Sequence, residues 1–346
     1  MIDIVKGLNA AQKEAVLHEK SPLLILAGAG SGKTKTLTHR VAYLVREKNI
    51  QPNNILSVTF TNKAAREMRE RVALLLGAEA PDRTFFPWMG TFHSICVRLL
   101  RIDGQQIKIP KNFVIFDESD RLGAVKIAMK ELHLSEKEFS PRAIVSLISS
   151  AKNDLVSPEE FASTAQLPMQ KTAALVFPKY ESIRRQAAAL DFDDLIAETV
   201  RLLAEVLEIR EKWQKHFKYI LIDEYQDTNA SQYKLVKMLL GTNKNICVVG
   251  DDWQSIYSWR GADYTNILNF ERDYPGTTVI KLEQNYRSTK AILDAAHCII
   301  TKNTSRSDKK LWTEKSDGQP VQIVHAQSEM HEAEAIISRI SSSVCI

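Results

Sequence analysis

Cysteine is scarce in this sequence. The 346 residues contain four cysteines, and no two of them have CxxC spacing; they are Cys96, Cys247, Cys298 and Cys345. The spacing suggests neither a zinc ribbon nor a disulfide framework, and it fits a reducing cytosol.

Long apolar runs are missing too. The sequence has no stretch of about 18 apolar residues, the length from which a membrane helix would be inferred. Residues 1–7 lack the basic segment and the following apolar segment of a secretion signal. We therefore expect no membrane partner and a cytoplasmic location.

The two signs of charge nearly balance. Lys and Arg number 46 against 42 Asp and Glu, and this net charge of +4 is too small to argue for nucleic acid by itself. Hydrophobic residues make up 44% and charged residues 25%, as in folded globular proteins. A chain of 346 residues exceeds one ordinary core, so we expect two or three packed units.

The most informative stretch is residues 23–34, LLILAGAGSGKT, where an apolar run ends in a glycine-rich loop and a helix follows. Glycines let backbone amides converge on a β-phosphate, and a helix N-terminus favours negative charge. Lys33 is expected to reach the β- and γ-phosphates, and the Thr34 hydroxyl to bind Mg²⁺. The glycines could alternatively make only a tight turn, but the Lys-Thr pair at this spacing favours a nucleotide. The predicted loop comprises Ala27, Gly28, Ala29, Gly30, Ser31, Gly32, Lys33 and Thr34.

A pair of adjacent carboxylates follows another apolar run, residues 219–222. Paired acids on a surface loop would carry little meaning, but here they follow a predicted buried strand in a chain with a phosphate loop. Asp223 is placed to hold the Mg²⁺ that Thr34 binds, and Glu224 to orient and deprotonate a water.

Strand-like and helix-like segments alternate through much of the chain. Strands are predicted at 54–61, 88–93, 219–224 and 245–250, and the first two are followed by helical sequence. This alternation predicts an α/β fold with a parallel sheet whose strand C-termini form the functional edge. Residues 106–187 are mostly helical and indicate an insertion. Its helices are expected to be punctuated by Pro141, Pro158, Pro168 and Pro178.

A third unit is predicted to begin at Thr278, where a strand leads into a helix, and residues 321–326 are predicted to form another strand. Before it, Gln254 suits a sensor of a γ-phosphate or its water. Tyr257, Trp259 and Arg260 suit base stacking and phosphate contact, although the aromatic residues could equally pack in a core.

Together these stretches resemble the UvrD/Rep/PcrA family of superfamily 1 DNA helicases over nearly the whole chain. The matching motifs, in the family's order, are Q (residues 8–16), I (27–34), Ia (58–71), Ib (90–93), II (223–229, DEYQDTN), III (250–262) and IV (282–288, LEQNYRS). The DFDDL segment at 191–195 is also typical of the family where the chain returns from the helical insertion.

The resemblance implies a RecA-like P-loop NTPase fold. Residues 1–105 and 188–277 would form a first lobe (1A), residues 106–187 a helical subdomain (1B), and residues 278–346 the start of a second lobe (2A). Family members use ATP and Mg²⁺ to move 3′ to 5′ along single-stranded DNA. Because the later motifs and the 2B subdomain would lie beyond residue 346, we expect this chain alone to hydrolyse ATP poorly.

The resemblance also assigns roles to single residues. Gln12, whose amide taken alone would more often be a surface group, would read adenine, and Tyr286 would stack on it. The implied catalytic set is Glu224, Lys33, Gln254 and Arg287, and the last two would contact the γ-phosphate. The residues implied to face DNA are Phe60, Asn62, His93, Tyr257, Trp259 and Arg260.

Two positions depart from the family's pattern. Lys35, in the nucleotide-binding set, stands where the family usually has Arg. An ammonium, which acts as a point charge, therefore replaces a planar guanidinium that can form two parallel hydrogen bonds. Trp253 stands where Asp is usual, beside the predicted γ-phosphate sensor.

We therefore expect an ATP-dependent DNA helicase or translocase that acts on single-stranded DNA and on single/double-strand junctions. Its setting would be repair or replication at the bacterial nucleoid, with proteins of those processes as partners. Two alternatives stay open: a short ATP- or DNA-binding module that does not hydrolyse ATP, against which the water-activating Glu224 argues, and the motor part of a helicase-nuclease. The oligomeric state is not indicated.

Overall fold

The computed structural model of the chain describes residues 3–19, 22–77, 85–242 and 244–344. At its centre lies a six-stranded parallel sheet, which confirms the predicted α/β class. In chain order the strands are β1 (Leu23–Ala27), β2 (Ile55–Thr59), β3 (Met89–Thr91), β4 (Val114–Ile115), β5 (Ala189–Leu190), β6 (Tyr219–Ile222), β7 (Ile246–Gly250) and β8 (Thr278–Leu282). The order across the central sheet is β3-β2-β6-β7-β1-β8, and β4 pairs with β5 in a separate small sheet.

Helices connect these strands. In chain order they are α1 (Ala10–Leu17), α2 (Lys33–Arg46), α3 (Asn62–Leu75), α4 (Phe92–Asp103), α5 (Glu118–Glu131), α6 (Pro141–Asn153), α7 (Pro158–Thr164), α8 (Pro168–Gln186), α9 (Phe192–Glu205), α10 (Leu207–His216), α11 (Ala230–Leu239), α12 (Thr265–Leu268), α13 (Phe270–Asp273), α14 (Lys290–Ile300) and α15 (Glu329–Val344). No helix among the described residues is long and apolar enough to span a bilayer.

Strand β1 illustrates how the sequence builds the core. All five of its residues are buried, and they alternate between the two faces of the sheet. Leu23 and Ile25 join the cluster that includes α1, α2 and α3, whereas Leu24 and Leu26 join the cluster with α4, α9 and α11 on the opposite face. Parallel strands covered on both faces consist of continuous apolar residues, which explains the run from 23 to 27.

The insertion between β3 and β6 has its own core, formed where α5, α6 and α8 meet. Pro141, Pro158 and Pro168 occupy the first turns of α6, α7 and α8, where a missing backbone N–H costs little. Pro178 was expected to punctuate a helix and instead lies inside α8. The buried side chains of Phe177 and Tyr180 hold α8 in place around it.

A buried ion network ties the insertion to α9. The Lys152 ammonium on α6 lies 2.7 Å from Glu181 and from Asp194, and 2.8 Å from Asp191. Arg184 adds a second cation, 2.9 Å from Asp194. Burial opposes the charge on Lys152, but the three carboxylates together raise its pKa above the ordinary value. The insertion and the start of α9 are therefore held by paired charges as well as by apolar contacts.

Two strand predictions need correction. Residues 88–93 contribute only Met89–Thr91 to the sheet, because Thr91 caps α4 and the helix begins at Phe92. Residues 321–326 are all described and none lies in a strand, and the side chains of Val321, Ile323 and Val324 are exposed. The strand predicted from Thr278 forms as β8 and pairs with β1 at the edge of the central sheet.

Candidate nucleotide site and adjoining cleft

The loop between β1 and α2 lies at the C-terminal edge of the sheet, where it was predicted. Gly30 and Gly32 have φ values of +68° and +86°, a conformation that favours glycine, and Gly32 directly precedes α2. Gly28 lies under the side chain of Leu311, and a Cβ there would lie 2.2 Å from Cδ2 of Leu311, so that side chain would have to move. The backbone of this loop is thus shaped by its glycines and covered by a residue far along the chain.

The first residues of α2 face the carboxylates that follow β6. The Thr34 hydroxyl donates to Asp223 Oδ2 at 3.3 Å, and Lys33 Nζ lies 3.5 Å from Glu224 Oε2. Burial, followed by the charge of Glu224, raises the pKa of the Asp223 carboxyl to about 7. The structure therefore brings together the four side chains that the sequence predicted for phosphate, metal and water.

Glu224 is held in an unusual conformation. Its φ of +51° places a non-glycine residue in the left-handed region. The buried Gln226 amide donates to Glu224 Oε2 at 3.0 Å and accepts from the backbone N–H of Asp251 at 2.9 Å. Gln226 thereby links the carboxylate after β6 to the loop after β7.

Gln12 is almost fully buried, so it is not a surface glutamine. Its Nε2 donates to the Ser31 carbonyl at 2.8 Å, and its Oε1 accepts from the Asn9 backbone N–H at 3.1 Å in the capping box of α1. Lys35 donates through Nζ to the Gly7 carbonyl at 2.6 Å. Both side chains fasten the N-terminal segment to the phosphate loop.

Residues after β8 cover the same loop. The Tyr286 backbone N–H donates to the Gly30 carbonyl at 2.9 Å, and the Asn285 amide donates to the Ala29 carbonyl at 2.5 Å. The Tyr286 hydroxyl accepts from the Asn9 side-chain amide at 2.8 Å, and Arg287 lies beside Gly30. Tyr286 and Arg287 are thus brought to the phosphate loop, together with the segment that carries Gln12.

Gln254 is positioned by Asp251 at the end of β7. Its side-chain amide donates to Asp251 Oδ2, and its backbone N–H donates to the Asp251 carbonyl at 2.9 Å. Gln254 borders a cavity of about 290 Å³ that Ala29 also lines. This arrangement places Gln254 next to the phosphate loop.

Oxygen donors at this edge fit one kind of metal. Thr34 and Asp223 offer a hydroxyl and a carboxylate, and Mg²⁺ commonly takes one or two protein oxygens and completes its shell with phosphates and water. Among the described residues no group of three or more His, Cys, Asp or Glu side chains is arranged for an all-protein metal site. The donor set fits Mg²⁺ delivered with a nucleotide.

A cleft of about 660 Å³ adjoins this site. Four residues predicted to face DNA line it: Phe60, His93, Tyr257 and Trp259. Asn62 lies instead in a neighbouring cleft of about 590 Å³, which Arg98 and Arg101 also line. The side chain of Arg260 lies outside the described part of the chain.

One wall of the larger cleft was not predicted from the sequence. Helix α6 contributes Arg142, Ser149 and Asn153 to it. The Asn153 amide donates to Asp193 at 3.1 Å, and its carbonyl accepts from the Asn229 amide at 2.8 Å. The small and polar residues on the face of α6 opposite its buried face were the sequence feature that could have indicated this wall. They did not show which part of the molecule that face of α6 would lie against.

The sequence matches two protein-family models. Residues 8–275 match the UvrD/REP helicase N-terminal domain, and residues 280–345 match the UvrD-like helicase C-terminal domain. The first match alone covers more than half of the chain.

Curated relatives include proteins named ATP-dependent DNA helicase PcrA. The one from Bacillus subtilis is 50% identical over 337 residues, which are 97% of this chain and 45% of the relative. Those from Staphylococcus epidermidis and Staphylococcus aureus are 50% and 48% identical, again over 97% of this chain and 46% of the relative. The chain therefore spans about half the length of these relatives.

Proposed function

The chain belongs to the UvrD/Rep helicase family, and from that premise we propose that the full-length gene product is an ATP-dependent DNA helicase that moves 3′ to 5′ along single-stranded DNA. One observation carries the proposal: the phosphate loop, the Thr34 and Asp223 donors and an aromatic cleft share one edge of a parallel sheet. ATP hydrolysis and DNA contact would then be adjacent, as a motor requires.

In the proposed nucleotide site, the amides of residues 28–34 hold the phosphates, and Lys33 binds the β- and γ-phosphates. Mg²⁺ bound with ATP supplies charge neutralisation at the phosphoryl group, with Thr34 and Asp223 as its protein ligands. Tyr286 and Gln12 face the base. Support for this arrangement comes from the contacts of Asn9 with Gln12 and of Asn9 with Tyr286.

Glu224 is the proposed general base. Gln226 holds one carboxylate oxygen by a hydrogen bond, which fixes the direction in which the other oxygen meets a water. Lys33 lies 3.5 Å from this carboxylate, and a bound γ-phosphate would compete for the ammonium. Gln254 and Arg287 complete the proposed set around the γ-phosphate.

In the proposed DNA site, single-stranded DNA enters the larger cleft, where Tyr257 and Trp259 stack on bases. Their ring centroids lie 6.3 Å apart, and 71% of the Trp259 surface is exposed. Burial lowers the pKa of His93 below its ordinary value despite the opposing charge of Asp193, so the imidazole is neutral at pH 7. A neutral ring favours contact with bases over contact with phosphates.

We also propose that the chain is divided into lobe 1A (1–105 and 188–277), subdomain 1B (106–187) and the part of lobe 2A from 278 onward. The separate apolar core of the insertion supports this division. The proposed setting is DNA repair or replication at the bacterial nucleoid, with single/double-strand junctions as substrates.

The test is steady-state ATP hydrolysis by the full-length gene product, with and without single-stranded DNA, for the wild type and Glu224→Gln. We expect DNA to stimulate the wild type and the substitution to lower kcat by about 10²–10⁴-fold, the usual contribution of a general base. Titration with a fluorescent nucleotide should show that Glu224→Gln still binds ATP. Glu208→Gln on α10, away from the site, serves as the matched control.

Nucleotide binding without DNA-stimulated turnover, and with no effect of Glu224→Gln, would contradict the proposal. That outcome would favour a module that binds ATP or DNA without hydrolysing ATP.

A further inference from the structure

Lys309 is a buried lysine that the nucleotide site described above does not use. Its side chain is 0% exposed, and its ammonium lies 2.5 Å from Asp251 Oδ1 and 2.7 Å from Asp252 Oδ1. The two carboxylates follow β7, whereas Lys309 belongs to the segment after α14. A buried charge is costly unless it is paired, so this contact fixes the two segments against each other.

Trp253 closes this contact from the outside. The Lys309 ammonium lies 4.7 Å from the centroid of the indole ring, and the Arg306 guanidinium lies 5.8 Å from it. The indole N–H donates to the Ser307 carbonyl at 3.2 Å. Ser307 in turn donates to Asp252 through its backbone N–H at 2.6 Å and its hydroxyl at 2.5 Å. We call Asp251, Asp252, Trp253, Ser307 and Lys309 the clamp.

The clamp is connected by hydrogen bonds to Gln254, which is proposed to contact the γ-phosphate, and to Glu224, which is proposed to activate the water. Asp251 accepts from the Gln254 side-chain amide through Oδ2 and from Lys309 through Oδ1. Its backbone N–H donates to Gln226, and Gln226 donates to Glu224. A continuous path of hydrogen bonds therefore runs from Lys309 to Gln254 and to Glu224.

We propose that Lys309 is a positioning residue for the reaction, which acts by orienting Asp251 and through it Gln254 and Glu224; this rests on the proposed ATPase function. Loss of the ammonium would leave Asp251 and Asp252 adjacent, buried and without their cation. Asp251 would then turn away, and the Gln254 amide would lose its fixed acceptor. Trp253 shields the ion pair of Lys309 with Asp251 and Asp252 from water. This shielding is the role of the tryptophan that precedes Gln254.

The experiment is a double-mutant cycle in the full-length gene product, with Lys309→Met, Gln254→Ala and both together. We expect Lys309→Met to lower the DNA-stimulated kcat by about 10-fold with a smaller change in KM for ATP. In the Gln254→Ala background the same substitution should change kcat less than about 2-fold, because residues that act as a unit are not additive. Lys281→Met is the control, since Lys281 donates to the Asp308 carbonyl in the same segment but touches neither carboxylate.

Equal losses of kcat caused by Lys309→Met in both backgrounds would overturn the proposal, and so would a lower unfolding temperature with unchanged kcat. Where Lys309→Met does not fold, Trp253→Ala and Trp253→Phe replace it. The alanine variant should show the same dependence on Gln254, and the phenylalanine variant, which keeps a ring over the lysine, should restore most of kcat.

Amide hydrogen exchange separates this proposal from the proposed function. Lys309→Met or Trp253→Ala should speed exchange across residues 251–256, and Lys281→Met should not. If the wild type does not hydrolyse ATP, the proposed function fails, and the exchange result alone decides the clamp. Unchanged exchange across 251–256 in both clamp variants would overturn it.

Discussion

The Asp223 carboxyl is buried and lies next to the carboxylate of Glu224. Burial is the larger cause, and the charge of Glu224 the smaller one, that raises the pKa of Asp223 to about 7. Because the native pKa lies above the ordinary value, the carboxyl is protonated below about pH 7, and a metal ion must displace that proton. We therefore predict that Mg²⁺-dependent nucleotide binding weakens as pH falls from 8 to 6, by at most about 10-fold per pH unit. A fluorescent-nucleotide titration at several pH values measures this.

Asp223→Asn is the control for this prediction, because it keeps the shape of the side chain and cannot release a proton. Its remaining pH dependence reports the titration of the nucleotide itself. A wild-type profile as flat as that of Asp223→Asn would show that the carboxyl stays ionised throughout this range.

At the level of single residues, the sequence predicted which chemical groups meet but not how they are held. The Lys33, Thr34, Asp223 and Glu224 cluster follows from motif positions at the C-terminal ends of β1 and β6, two strands of the same parallel sheet. The left-handed backbone of Glu224 does not follow, because residue type alone does not specify φ there. Lys309 could not be predicted either, since its partners lie more than 50 residues away and a lone lysine is normally a surface residue.

Between elements, the ion network around Lys152 makes the junction of α6, α8 and α9 sensitive to the loss of one cation. We predict that Lys152→Met destabilises the protein by about 3–5 kcal/mol, because it leaves the carboxylates of Glu181, Asp191 and Asp194 buried with too little positive charge. The midpoint of urea unfolding measures this. Lys126→Met, which breaks the partly exposed pair with Glu136, should cost about 0–1 kcal/mol, and an equal cost for both would contradict the prediction.

Helix α8 contains a residue whose substitution is expected to stabilise the protein. Pro178 is exposed and lies inside the helix, where it cannot donate to the carbonyl of the residue four positions earlier. We predict that Pro178→Ala stabilises the protein by about 1–2 kcal/mol, since the restored hydrogen bond outweighs the greater freedom of the unfolded chain. Lys171→Ala, at another exposed position of α8, should change stability by less than about 0.5 kcal/mol. A lower urea midpoint for Pro178→Ala would show that the proline supports the native packing.

The strand at 321–326 and the proline in α8 were mispredicted for a shared reason. Apolar β-branched residues form a strand only if a neighbouring strand accepts their backbone hydrogen bonds, and in the described part of the chain residues 321–326 pair with no strand. A proline predicts a helix end only if tertiary packing does not hold the helix through it. Both outcomes depend on contacts that local sequence does not encode.

Across the whole molecule, the parallel sheet explains why the site could be anticipated. Segments that follow β1, β2, β6 and β7 lie far apart in the sequence, yet parallel strands bring their C-terminal ends to one edge. The wall that α6 adds to the larger cleft could not be anticipated, because the position of α6 depends on long-range contacts, among them the ion pairs of Lys152 with Asp191 and Asp194.

The larger cleft also gives the last prediction. Trp259 is 71% exposed and lines the cleft beside Tyr257, so its removal should leave the unfolding midpoint nearly unchanged. If the ring stacks on a base, Trp259→Ala should weaken binding of single-stranded DNA by about 1–3 kcal/mol, or about 5–150-fold, and by similar factors for oligo-dT and mixed sequences. Fluorescence anisotropy of labelled oligonucleotides measures this.

Trp312→Ala provides a matched control, because Trp312 is 47% exposed and lies outside the cleft lining. Equal weakening by both substitutions would mean that exposed tryptophan, rather than the cleft, governs binding, and unchanged affinity for Trp259→Ala would place the DNA elsewhere.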